Sequence, residues 1–119
     1  MNKLTHPVIY LEDKDYNMNG PQSYMGNRFV ILIQGSFCGH CHKFLPTYQK
    51  VANKLKNNIL FTTLQLDGSE EQRKLGERIN KWVSFTGVPY LAVYSNGKYN
   101  VYNGDRSENS VTQFIMKYL

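Results

Sequence analysis

Cys38 and Cys41 are the only cysteines among 119 residues, and only Gly39 and His40 separate them. Two thiols at that spacing can close one disulfide and reopen it, passing two electrons to or from another thiol pair. Bridges that brace small exported folds are more numerous and link distant segments, so this pair points to chemistry. Phe29-Val30-Ile31-Leu32-Ile33, apolar at every position, precedes the pair and reads as a central strand buried on both faces. Phe44, Tyr48, Val51, Ala52 and Leu55 follow on one helical face, which Asn57-Asn58 would end. Cys38 is therefore expected at a helix N-terminus, where unpaired N–H groups and the helix dipole favour its thiolate and lower its pKa. It becomes the attacking sulfur. Cys41, three residues on and on the same face, is placed to resolve a mixed disulfide. A plainer reading makes both cysteines small buried apolar residues; their position at a strand–helix junction argues against it.

Two metal chemistries share this string. Cys38-Gly39-His40-Cys41-His42 satisfies the Cys-x-x-Cys-His pattern of covalent haem attachment, with His42 as the axial ligand. Alternating strands and helices do not suit a small, mostly helical haem protein, and Met1-Asn2-Lys3-Leu4-Thr5-His6-Pro7 lacks the apolar core of an export signal. Zinc would need four ligands from the two cysteines, His6, His40 and His42, and neighbouring helical residues do not converge on one ion. The expectation is no metal and no cofactor, the redox group being a Cys38–Cys41 disulfide.

The remaining elements are those that would position the pair. His6 to Leu11 suits a first strand, and the polar stretch from Glu12 to Arg28 holds at most a weak helix. Ile59 to Asp67 reads as a strand. A helix fits Glu70 to about Phe85, because Leu75, Ile79, Trp82 and Val83 share one face. Gly87-Val88-Pro89 interrupts it. Tyr90–Tyr94 and Tyr99–Tyr102 flank Ser95-Asn96-Gly97-Lys98, and Asn-Gly between two β-rich runs signals a hairpin. Val111, Phe114, Ile115, Tyr118 and Leu119 form a last helical stripe, with Ser107 or Asn109 as its cap. The order predicts an α/β fold with a central mixed sheet and helices on both faces. No repeat or linker divides the chain, so residues 1–119 are read as one domain.

Composition narrows the setting. Lys and Arg number 14 against 9 Asp and Glu, for a net charge of +5, but the basic residues are scattered, which argues against nucleic acid as a partner. No apolar stretch approaches the roughly 20 residues that span a bilayer. The expected protein is a soluble monomer, cytoplasmic or, if viral, virus-associated. Its richness in Asn, Lys, Ile and Tyr suits an AT-rich genome, as in some large DNA viruses, protozoa or low-GC bacteria.

Phe37-Cys38-Gly39-His40-Cys41-His42-Lys43-Phe44-Leu45-Pro46 resembles the active-site segment of the thioredoxin superfamily, and its Cys-Gly-His-Cys form is similar to the catalytic domains of protein disulfide isomerase. The resemblance runs from Phe29 to the C-terminus and implies a thioredoxin fold, with Pro46 where the active-site helix is kinked. It implies that Gly87-Val88-Pro89 is the loop facing the cysteines, with a cis Val88–Pro89 bond. Val88 would then pair with an extended substrate segment as an added strand. Tyr102-Asn103-Gly104-Asp105-Arg106 is similar to the isomerase Tyr-x-Gly-x-Arg pattern, which implies that Arg106 swings toward Cys41 and lowers its pKa. Asp67 and Asn96-Gly97 also match, as scaffold signals. Phe37, Gly39, Val88, Pro89 and Tyr90 are the expected substrate-binding residues, beside the catalytic Cys38, Cys41, His40 and Arg106.

Two positions depart from the family pattern. The buried acid expected six residues before the first cysteine is Leu32, which cannot relay a proton; Gln34, two residues later on the same face, would have to hold a water instead. The tryptophan before the first cysteine is Phe37, which keeps an aromatic wall without an indole N–H. His40 beside the thiolate favours the reduced, ionised form, so the disulfide becomes the better oxidant. Thioredoxin and protein disulfide isomerase differ by roughly 90 mV, about 4 kcal/mol for two electrons. That favours oxidation or isomerisation of protein disulfides over reduction. A cytosolic thiol pool argues the other way, unless a sulfhydryl oxidase recharges the pair. The implied partners are protein thiols or disulfides and a redox partner, either an oxidase or a reductase. The rival function is a non-catalytic client-binding module whose groove surrounds Phe37, Val88 and Tyr90.

Overall fold

Continuous apolarity places Phe29–Ile33 at the centre of the sheet, where each of the five residues is fully buried. In the computed structural model, which describes residues 3–119, they belong to strand β4 (Arg28–Gln34). Met1 and Asn2, which open the segment read for an export signal, lie outside the described residues. Strand β1 (Val8–Tyr10) pairs in parallel with β5 (Leu60–Gln65), which pairs in parallel with β4; β6 (Tyr90–Ser95) and β7 (Lys98–Tyr102) continue the sheet antiparallel. The sheet order is β1-β5-β4-β6-β7.

Alternation along β4 divides the core in two. Val30 and Leu32 face helices α1 (Gly39–Leu55) and α3 (Glu108–Met116), packing with Phe44, Leu45, Tyr48, Val51, Val111 and Ile115. Phe29, Ile31 and Ile33 face Leu75 of α2 (Glu70–Arg78), with Ile79 and Val83 just beyond it. Full burial of such side chains contributes about 1.5–3 kcal/mol each. The seven buried residues of α1 include Cys41, so the helix carrying the cysteines is anchored along its length. The expected mixed sheet with helices on both faces is what forms, and it is a thioredoxin fold.

The turn of the β6–β7 hairpin holds Asn96 at φ 52° and Gly97 at φ 84°, the two left-handed positions an Asn-Gly turn supplies. Ser107 caps α3, its side chain accepting the Ser110 N–H at 3.2 Å. Elsewhere the structure departs from expectation. The helix predicted to reach Phe85 ends at Arg78 and tightens into a single 3-10 turn over Ile79–Lys81. Arg78 is tied down there: its guanidinium donates to the Asp13 carboxylate at 2.6 Å and to the carbonyls of Asp13 and Tyr16 at 2.6 and 2.7 Å. The stretch from Glu12 to Arg28 holds, in place of a weak helix, two 3-10 turns (Asp13–Asp15 and Ser23–Met25) around a small ladder of β2 (Tyr16–Asn17) and β3 (Gly20–Pro21). The buried Asp15 organises it, accepting the Glu12 N–H at 2.8 Å and the Tyr24 hydroxyl. Among the described residues, no helix is long and apolar enough to cross a membrane.

Candidate active site

Cys38 is the N-cap of α1, and its sulfur accepts the backbone N–H of Cys41 at 3.1 Å. One of the free donors in the first turn of the helix therefore points at the sulfur that would carry negative charge. Cys38 and Cys41 form a disulfide, with their Cα atoms 5.2 Å apart. Their surroundings differ: Cys41 is fully buried, whereas Cys38 is partly exposed. Of the two, only Cys38 is open to the surface.

Across the cleft, the Val88 carbonyl oxygen lies 3.6 Å from the Cys38 sulfur, and the Val88–Pro89 bond is cis. Fifty residues of sequence separate the two groups, and the β4–β6 pairing brings them together, since β6 begins at Tyr90 opposite Ile33. Phe37 projects beside the pair with 67% of its surface exposed. Gly39 and His40 open α1 at the surface. Tyr90 is buried against Phe85, ring centroids 5.9 Å apart, so it supports the cleft from the α2-side core. Arg106 lines a cavity of about 140 Å³ together with Phe44 and Pro89. Phe37, Cys38, Val88 and Pro89 thus gather at one end of the sheet, with His40 and Arg106 at its margin.

Leu32 is fully buried on the α1 face of β4. Gln34 is also fully buried; its amide nitrogen lies 3.4 Å from the Thr63 hydroxyl, and its Oε1 has no hydrogen-bond partner among the described residues.

The turn before Cys38 is held by groups the sequence reading had not assigned to the site. The Ser36 N–H donates to the Asp67 carboxylate at 3.0 Å, and the Ser36 hydroxyl donates to it as well. These bonds hold the Asp67 carboxyl below the ordinary aspartate pKa. His42 secures the same turn from α1: its Nε2 lies 2.7 Å from the Ser36 carbonyl oxygen, which can only accept, so Nε2 carries the proton. A Cβ on Gly35 would meet the Phe37 ring where it now lies and push that exposed ring aside. Asp67 closes its strand in sequence, but nothing local says that it reaches back 31 residues. Asp67→Ala is expected to lower hydrogen-exchange protection of the Ser36 amide about tenfold, since bonds to a charged group are the stronger kind. Because folding depresses the Asp67 pKa, the wild-type contribution is present above the unfolded value and fades only as pH falls below roughly 4. Unchanged protection of Ser36 in the variant would show that the clamp does not order the turn.

The thioredoxin family model matches residues 8–117. The chain belongs to the thioredoxin family. It is 30% identical to a putative thioredoxin-like protein 453L of Invertebrate iridescent virus 6, over 92% of this chain and 93% of that protein. It is 25% identical to protein disulfide-isomerase like 2-2 of Arabidopsis thaliana, over 95% of this chain but only 24% of that protein. Among solved structures, the first thioredoxin domain of mouse protein disulfide-isomerase A4 superposes with a TM-score of 0.70 at 20% identity, covering 97% of this chain and 77% of that one. The J-Trx1 fragment of ERdj5 gives 0.73 at 21% identity, covering 92% and 50%. The chain thus spans nearly all of the viral relative and about a quarter or less of the disulfide isomerases it matches. Thioredoxin-family domains carry redox chemistry in their own cysteine pair and act on thiol or disulfide substrates. The Cys38–Cys41 disulfide has the family's spacing, and thiol–disulfide oxidoreduction is its general chemistry. Among the described residues, no group of three or more His, Cys, Asp or Glu gathers as a metal site would need.

Proposed function

We propose that this thioredoxin-family domain, one unit over residues 1–119, oxidises or isomerises disulfides in protein substrates through Cys38 and Cys41. The observation that carries the reading is the contrast between the two sulfurs: Cys38 is reachable, capped by a backbone N–H and faced by the Val88 carbonyl, while Cys41 is sealed behind it. In the oxidising direction a substrate thiolate attacks Cys38 and Cys41 leaves as a thiolate. The substrate's second thiolate then attacks its own sulfur in the mixed disulfide and expels Cys38. The substrate ends as a disulfide, the enzyme as two thiols, and two electrons have moved. Isomerisation starts from reduced Cys38 and returns it unchanged.

The helix N-terminus and His40 favour the ionised, reduced form of Cys38 and so raise the oxidising strength of the disulfide. Phe37, Gly39, Val88 and Pro89 receive the substrate segment, and Tyr90 supports it from behind. Arg106 assists Cys41. A sulfhydryl oxidase or a reductase completes the cycle of a monomer in a cytoplasmic or virus-associated setting, and the viral relative supports the second of these.

Leu32 supplies no carboxylate for Cys41 to exchange protons with, so a water held near Gln34, whose Oε1 has no hydrogen-bond partner among the described residues, would have to take that part. Leu32→Glu is expected to speed the step in which Cys41 reacts about tenfold at neutral pH. The buried carboxyl should lower stability by about 2–5 kcal/mol, read from denaturant midpoints. A destabilised protein with no gain in rate would remove the proton-relay argument.

Equilibration in glutathione buffers tests the direction of flux. A reduction potential close to that of protein disulfide isomerase, roughly −180 mV, is expected; one near −270 mV, the thioredoxin value, would assign the protein to reduction. Refolding of a scrambled disulfide substrate tests turnover itself. If wild type shows none while Cys38→Ser still captures a client, the domain is a binding module.

A further inference from the structure

We propose that the cleft beside Cys38 selects protein segments with a carboxylate two or three residues from the reacting cysteine, gripped by Lys43 and Arg106 with His40 at the rim. This extends the disulfide-exchange reading and rests on it. The cavity of about 140 Å³ that joins Pro89 to Phe44 and Arg106 adjoins a second, of about 190 Å³, formed by Phe44, Arg106, His40 and Lys43. Phe44 and Arg106 line both, so the two cavities lie side by side between the Pro89 loop and Lys43.

No carboxylate lines either cavity. Lys14, Lys54, Lys74 and Arg78 pair with acids; Lys43 and Arg106 are among the basic residues that form no ion pair among the described residues, and these two line the second cavity. The acids nearest in sequence are committed elsewhere. Asp105 accepts the Ser107 N–H at 2.6 Å and the Ser110 hydroxyl at 3.1 Å, and Glu108 pairs with Lys54 at 2.9 Å. Two exposed cations above an apolar floor, the buried Phe44, therefore lack an internal counter-charge, and a carboxylate of the substrate supplies one. Lys43 lies five residues beyond Cys38, about 7.5 Å along the helix at about 1.5 Å per residue. An extended chain covers that distance in two to three residues at about 3.3 Å each, which sets the spacing.

Three dithiol peptides that differ only in Glu, Gln or Lys at the third position from one cysteine test this. Each is oxidised by the disulfide form of the protein, followed in acid-quenched samples, and normalised to its rate with uncharged hydroxyethyl disulfide. That correction removes the effect of the neighbouring charge on the peptide thiol itself. The Glu peptide should react about fivefold faster than the Gln peptide, and the Lys peptide slower still. The ratio should fall to about one in 1 M salt, where charges more than about 3 Å apart are screened, and below one in the Lys43→Glu, Arg106→Glu double variant, where the Glu peptide meets like charge. Both positions are exposed, so folding is retained and checked by circular dichroism. Any effect of Arg106 on Cys41 changes all three rates alike and cancels in the ratio. Equal rates at low salt, or a preference that survives charge reversal, would overturn the inference. If the Gln peptide reacts no faster with the protein than with hydroxyethyl disulfide, the exchange reading itself fails.

Discussion

Cys38→Ala is expected to abolish exchange, lowering the rate at which the protein oxidises a dithiol peptide by at least about 10³-fold. Without Cys38 no disulfide can form to accept the two electrons, and Cys41 is fully buried, out of reach of a substrate sulfur. The same geometry predicts that, in the reduced wild type at pH 7, iodoacetamide modifies Cys38 about tenfold faster than a free cysteine, with Cys41 unmodified. The variant's stability should be compared with that of reduced wild type, since the chain-entropy stabilisation of the bridge, about 2 kcal/mol for so short a loop, is absent from both. Residual exchange in Cys38→Ala, or alkylation of Cys38 at the ordinary rate, contradicts the assignment of the attacking sulfur.

Cys41→Ala should do something different in kind. Cys38 still attacks a substrate disulfide and releases one substrate thiolate, but nothing inside the protein expels the other. The mixed disulfide therefore accumulates, visible by mass spectrometry as one substrate adduct on Cys38. Turnover should fall by about 10²- to 10³-fold. The substitution removes one sulfur atom from a packed site and leaves the contacts of Phe44, Leu45 and Tyr48 in place, so the domain stays folded. If no adduct forms, the two sulfurs have the wrong roles; if turnover is unchanged, resolution comes from outside thiols.

The elements whose signals are periodic or local were legible in the chain. β4 announced itself by five consecutive apolar residues, α1 by one face repeating from Phe44 to Leu55, and the final hairpin by Asn96-Gly97, whose conformations are the ones an Asn-Gly turn favours. The segment from Asp13 to Met25 was not, because Asp15, Tyr24 and Arg78 assemble it through hydrogen bonds that leave no periodicity. The end of α2 was misplaced for the same reason. Leu75, Ile79 and Val83 do face one core, but Arg78 is drawn to Asp13, 65 residues earlier, and the helical geometry gives way there.

By itself, the sequence determined that two thiols stand one helical turn apart behind a buried strand, which is enough to specify a redox chemistry. Only the tertiary structure decided which thiol is reachable, what faces it and what steadies it. Burial of Cys41, approach of the Val88 carbonyl to Cys38 and the Asp67 clamp on Ser36 all depend on segments 31 to 50 residues apart meeting at one end of the sheet. Such contacts arise when strands pair and side chains interdigitate, and no local propensity encodes them.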